Sequence, residues 1–420
     1  MEKYTIAGLE INKRSFKDLF FNKTMFFSYI LIFIAILGVI EIFELRYFSE
    51  VATANSLGAG PVTEELKNAL RNAIFGDVGE ISREVPWTLF IANYMYMIYT
   101  GSGIIFLVAL AELLNFKVVE KLAASFMVIG LAMVFAGLFT IATDLNLLNM
   151  HWMFITPNVN TGMWLMLPLY LTYIPFVLFE IYLILTNKRE LAKKLAFPIL
   201  VMSIGVDLIE YYIQAKLFSM NTARHLWTEF PALMFYFIIS AFVSSLGIMG
   251  VLSYLVHRDK SEYKELMALI RKAMLFFIYL LAIYEVIGYL VIDKDWAFII
   301  LFGEFRLLYF GGYILFTLVL PFLLLFRIIK HYILASCIST IIGGFIGRYL
   351  FVYGGNANPM SDRFGVGYEK YNFYDMETTF NYVTPHLGEV LITIGSIGII
   401  IAIYKLVDTL FSINEEKEIL

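Results

Sequence analysis

Asp207 and Glu210 stand three residues apart within one apolar stretch of this 420-residue chain, so on a helix they share a face. A charge at the centre of a membrane span costs roughly 2.5–3.5 kcal/mol on insertion scales, so such groups turn toward a bundle interior or water. A carboxylate taken out of water holds its proton more tightly, and a second carboxylate nearby strengthens the effect. The pair therefore has the chemistry of a proton acceptor working near neutral pH. The plainer alternative is an ion pair with Lys216 or Arg224. Other acids fall into two layers: Glu112 and Glu180 toward one membrane side, Asp144, Glu285, Glu304 and Glu389 toward the other. Glu304 reads as a structural partner of Arg306, and Glu112 either snorkels near Lys117 or faces the interior. Polar groups at both depths sketch a path for protons.

A second piece of chemistry lies in the connection from Asp144 to Trp164. It brings together an acid, His151, Asn158, Thr161, Met163 and Trp164. A flat ring with carbonyls at both ends would suit that lining, with Trp87 as a further apolar wall and Asp144 or His151 at one carbonyl. The competing reading is a loop with interfacial Trp anchors and a helix-capping Thr161. The five histidines all fall in loops or at span ends, which offers no pair of haem ligands inside the bilayer. Cys337 alone cannot hold an iron–sulfur cluster or a structural zinc. Any electron chemistry here must use a diffusible carrier.

These residues must be positioned by membrane helices. The composition is 60% hydrophobic, 17% aromatic and only 16% charged. Ten apolar runs reach the roughly 20 residues a span needs: 25–45, 87–114, 119–143, 163–186, 194–217, 231–256, 272–292, 301–329, 332–353 and 384–411. Every second connection is basic. Of the Lys and Arg residues, 20 then fall on one side, 10 on the other, and Arg306 lies within a span. The positive-inside rule makes both termini cytoplasmic. The first apolar run is a full span behind a long basic tail, so a cleaved signal is not expected. No basic stripe points to nucleic acid.

Spans two and six open alike, Glu84-Val-Pro86-x-x-x-Phe90 and Glu229-Phe-Pro231-x-x-x-Phe235, offset by 145. Pro175-Phe176 and Pro321-Phe322 are offset by 146, and Ile204-Gly205 with Tyr211 matches Ile342-Gly343 with Tyr349 at 138. Four helices separate the copies, so the expected architecture is two parallel-repeat four-helix bundles flanked by two extra helices. The divisions expected are 1–83, 84–217, 218–353 and 354–420. Where the first copy has Asp207 and Glu210, the second has Phe345 and Arg348.

Further motifs run in order from about residue 84 to 405. Pro86-Trp87 opens span two, followed by Gly101-Ser102-Gly103. Asp144-Leu145 then precedes Pro157-Asn158, Thr161 and Met163; Trp227-Thr-Glu-Phe-Pro231 approaches span six; Arg348 is followed by Pro385-His-Leu-Gly388-Glu389. In this order they resemble the NrfD / polysulfide reductase membrane-subunit family, most of all its ten-span branch, which includes quinone-linked subunits of some hydrogenases and of alternative complex III. The family's glycine after the Asp-Leu pair is here Asn146, and its following Arg-Pro is absent.

The resemblance implies a prokaryotic cell-membrane subunit without haem or cluster of its own, which binds a quinone near the outer face. Its partner there would be an iron–sulfur subunit, joined to a molybdopterin enzyme, a hydrogenase or a multihaem cytochrome. Segments 63–75, with apolar residues at helical spacing, and 353–385, rich in tyrosine, are the expected docks. Protons exchanged at the ring would pass by Asp207 and Glu210, with Glu112 and Glu180 in the inner half. Two other classes share some of these features: a secondary transporter built on parallel repeats, and a purely structural anchor.

Overall fold

A computed structural model describes residues 3–47, 87–144, 162–186, 189–219, 233–291, 300–326, 330–357 and 384–414, with 155, 159 and 227 as single positions. Among the described residues the chain is all-α apart from one hairpin, β1 (Lys3–Ile6) and β2 (Leu9–Asn12). Ala7 and Gly8 both take positive φ, 53° and 84°, which gives the tight hairpin turn whose twist matches the strands. The long helices are α2 (Lys23–Tyr47), α3 (Leu89–Leu113), α5 (Ala123–Asp144), α6 (Gly162–Thr186), α7 (Arg189–Ser219), α8 (Leu233–Val256), α9 (Tyr263–Val291), α11 (Lys330–Ala357) and α12 (Leu387–Phe411). Short α1 (Phe16–Phe20) precedes them, α4 (Lys117–Glu120) joins α3 to α5, and a π-helix (Leu308–Val319) runs into α10 (Leu320–Leu325). Counting that last pair as one, ten helices among the described residues are long and apolar enough to cross a membrane.

Helix α3 is apolar all round and almost wholly buried, the condition of a helix at the centre of a bundle. It packs on α5, α7, α8, α11 and α12. The pairings α3 with α5 and α6 with α7 have counterparts in α8 with α9 and the π-helix with α11. Helices α2 and α12 pack on each other at the side, with α12 also against α5. Asn12 donates to Thr409 O at 3.1 Å and Ser412 Oγ at 2.7 Å, so the N-terminal hairpin and the end of α12 share one face of the bundle.

Close approach of α3 and α5 depends on small residues. A Cβ at Gly101 would sit 2.5 Å from Gly130 O, with no room to shift because the obstacle is backbone. Gly101→Leu is therefore expected to abolish the folded, monodisperse protein, read as membrane abundance and detergent gel-filtration profile. Gly205, where a Cβ would meet nothing within 4 Å, is the control: Gly205→Leu should behave as wild type.

The eighth span departs from the sequence expectation of 301–329. Its regular helix begins only at about Arg306, after a turn closed by Arg306 N to Gly303 O at 3.2 Å, and ends at Leu325. Glu304 and Arg306 are both exposed and form no ion pair among the described residues, which corrects the expected structural pair. Pro321 has no N–H and its ring crowds the carbonyl of Thr317; the wide π-turns end where α10 takes up this proline.

Candidate functional site

Helix α7 carries Asp207, Glu210, Tyr211 and Gln214 on one face, at the spacing that keeps side chains in register along a helix. All four are buried against α3 and α6. Tyr170 Oη donates to Glu210 Oε1 at 2.9 Å, and Tyr170 and Tyr94 hydroxyls meet at 3.0 Å. Gln214 Nε2 donates to Tyr94 Oη at 2.8 Å. Tyr211 Oη donates to Tyr99 O at 3.1 Å and lies 3.2 Å from Ser102 Oγ. Neither Asp207 nor Glu210 forms an ion pair among the described residues, and Lys216 is exposed, so the ion-pair alternative with that residue is set aside; Arg224 lies outside the described residues.

Asp207 is fully buried with no cation beside it among the described residues; its polar neighbour is the buried Tyr173 hydroxyl, which faces its carboxylate without closing to a full hydrogen bond. Glu180 on α6 is likewise buried with both oxygens unpartnered, and is within electrostatic range of both Glu112 and Asp207. Helix directions order these groups. From the face shared by the termini inward, Glu112 and Glu180 come first, then Asp207 with Tyr173, Glu210 with Tyr170, and finally Gln214 with Tyr94. From Glu180 to Tyr170 the rise along α6 is about 15 Å, half a hydrocarbon core.

Arg348 on α11 lies near this row, within electrostatic range of Tyr99 and Tyr211. It donates to Ser240 Oγ at 2.7 Å and Phe237 O at 3.3 Å. Its guanidinium lies over three rings, 4.8 Å from Tyr99, 5.1 Å from Phe237 and 5.3 Å from Tyr236. Tyr99 is thus within electrostatic range of Arg348 on one side and Glu210 on the other.

At the opposite end, Asp144 is the last residue of α5, half-buried, and is within electrostatic range of Glu389 in the first turn of α12. Glu389 also faces Thr88, and one of its carboxylate oxygens makes no hydrogen bond. One turn below Asp144, Thr140 accepts from Asn93 Nδ2 at 2.9 Å. Trp87 packs in an aromatic cluster, 4.6 Å from Phe218 and 4.8 Å from the buried Trp227, and its carbonyl accepts from Asn356. Trp164 is half-buried in the first turn of α6 beside Met163. His151, Asn158 and the Met163 side chain lie outside what is described, as do both expected docking segments apart from 353–357 and 384–385.

At the terminal face, His257 Nε2 lies 3.2 Å from Ser125 Oγ. Burial, helped by nearby Lys260, pushes its imidazole down to about 4, which favours the neutral ring.

Ten helices long and apolar enough to cross a membrane, with a buried row of carboxylates, phenols and one arginine among them, define a polytopic integral membrane protein. The family model for Polysulphide reductase, NrfD, matches residues 77–359, and the chain belongs to that family. Its members are membrane subunits of redox complexes that work with other redox subunits, and this chain is such a subunit. A comparison with curated proteins gives no match.

Proposed function

We propose that the chain is the quinone-reactive membrane subunit of a multi-subunit oxidoreductase, linking a membrane quinone pool to an iron–sulfur partner on the face opposite the termini. What carries this reading is the buried polar row of α6 and α7, placed in a member of a redox-subunit family. The residues around Asp144 fit a carbonyl-bearing ring. Asn93 Oδ1 and one oxygen of Glu389 are buried there without hydrogen-bond partners, with Thr88 facing Glu389, and a polar ring substituent would meet these groups. Asp144 or His151 would meet one carbonyl, with Asn158, Met163, Trp164 and Trp87 around the ring.

When bound, a quinone supplies exchange of two electrons coupled to two protons. The chain's own residues do the rest. Asp207 and Glu210 hold protons away from water. Tyr170 and Tyr94 relay them through hydrogen bonds that already exist, and Gln214 fixes the Tyr94 hydroxyl. Glu180 and Glu112 continue the row toward the cytoplasm, which makes proton translocation part of the proposal.

Replacing Asp144 by Asn should cut quinone-linked turnover roughly tenfold to hundredfold, in the range of losing one positioned proton donor or acceptor. Subunit stoichiometry of the purified complex should not change. Wild-type turnover in that variant would remove Asp144 from the site; equal loss of assembly and turnover would favour a structural anchor.

A further inference from the structure

The face shared by the two termini holds a polar cavity of about 590 Å³ that the redox chemistry does not use. It lies where α1 and the start of α2 meet the end of α12, and its cations are Arg14, Lys17, Lys23 and Lys405. Two carboxylates line it, Asp18 and Asp408. Asp408 is already satisfied by Lys405 at 3.1 Å and by Asn414 Nδ2 at 2.6 Å, and Asp18 accepts from Ser15 Oγ at 2.8 Å. Arg14, Lys17 and Lys23 form no ion pair among the described residues, and Arg14 Nε is buried without a hydrogen-bond partner. Four cations against two carboxylates leave an anion site with a guanidinium donor unclaimed.

We propose that this cavity binds the phosphate headgroup of an anionic phospholipid. The surroundings favour a lipid over free phosphate. Phe16 and Phe21 are each 70% exposed beside the cavity, and Phe21 lines it. From there Phe26, Phe27, Ile30, Phe33 and Leu37 continue an exposed apolar strip along α2. A headgroup in the cavity would lay its acyl chains on that strip, with the short α1 at the interface above it. The basic face is the one the charge distribution assigns to the cytoplasm, where anionic lipid is attracted by such clusters.

The test uses the intact detergent-purified complex. Native mass spectrometry after exchange into mixed phosphatidylglycerol and phosphatidylcholine micelles should show phosphatidylglycerol retained on this chain. The double variant Arg14→Ala/Lys17→Ala should retain roughly twenty-five-fold less, at about a factor of five per lost charge. Lys264→Ala, an exposed cation elsewhere on the same face, should retain it as wild type does. Melting in phosphatidylcholine alone should be the same for all three, which separates lost binding from lost folding. Equal retention in wild type and double variant overturns the proposal. So does displacement of the lipid by millimolar inorganic phosphate, which would make the site one for soluble phosphate.

Discussion

Glu210→Gln is expected to lower quinone-linked turnover by about a hundredfold while the complex assembles and melts as wild type. The amide keeps the size and shape of the acid, and its oxygen still accepts from Tyr170. Only the exchangeable carboxyl proton is lost. Asp207→Asn should act alike, and here stability should hold or rise, because a buried carboxylate with no ion pair among the described residues is replaced by a neutral group that can still face Tyr173. Tyr170→Phe removes the relay hydroxyl but leaves both acids, so a smaller loss of about tenfold is expected. Turnover in liposomes with an external pH dye measures all three. If Glu210→Gln and Asp207→Asn both turn over normally, the acids of α7 are not on the proton route.

Arg348→Ala is expected to destabilise the chain by about 2–4 kcal/mol, seen as a lower melting temperature in detergent. The side chain is buried under three aromatic rings, and its removal leaves a void the size of a guanidinium between α8, α3 and α11. Arg348→Met refills most of that volume without the charge. Its melting temperature should return close to wild type, while its turnover stays low, because Tyr99 and Tyr211 would lose the positive field that opposes Glu210 across them. Combining Glu210→Gln with Arg348→Met should cost less than the product of the two, as for groups coupled through shared neighbours. Full turnover in Arg348→Met would reduce the arginine to packing.

The ten spans were legible because nothing but length and apolarity is needed to cross a bilayer. Asp207 and Glu210 were legible because a carboxylate is costly in hydrocarbon and three residues is a helical spacing. The tyrosines were not. Tyr94, Tyr170, Tyr173 and Tyr211 are four among 27, and a phenol in a span carries no cost that marks it. Gln214 was within reach: it lies four residues beyond Glu210 on the same face as Asp207. The hairpin of residues 3–12 and the late start of the eighth helix were hidden for opposite reasons. A polar tail gives little pattern, and an apolar run does not show where a turn delays its helix.

The segments matched in sequence also differ in charge at corresponding places. Positions matched at an offset of 138 carry an acid in α7, Glu210, and a base in α11, Arg348. Sequence alone records this as divergence. In the fold both flank Tyr99 near the contact of α3 and α8, where Ser245 Oγ donates to Thr100 O at 2.8 Å. Family membership weighs against the transporter class.

The central claim is tested most directly by mixing the oxidised, purified complex with a short-chain quinol and following the partner's iron–sulfur signal by electron paramagnetic resonance. Reduction of the cluster is expected within a turnover time, blocked by a non-reducible headgroup analogue and slowed in the Asp144→Asn variant. A cluster that the quinol leaves oxidised, in a complex that still reduces it from the catalytic partner, would contradict the claim.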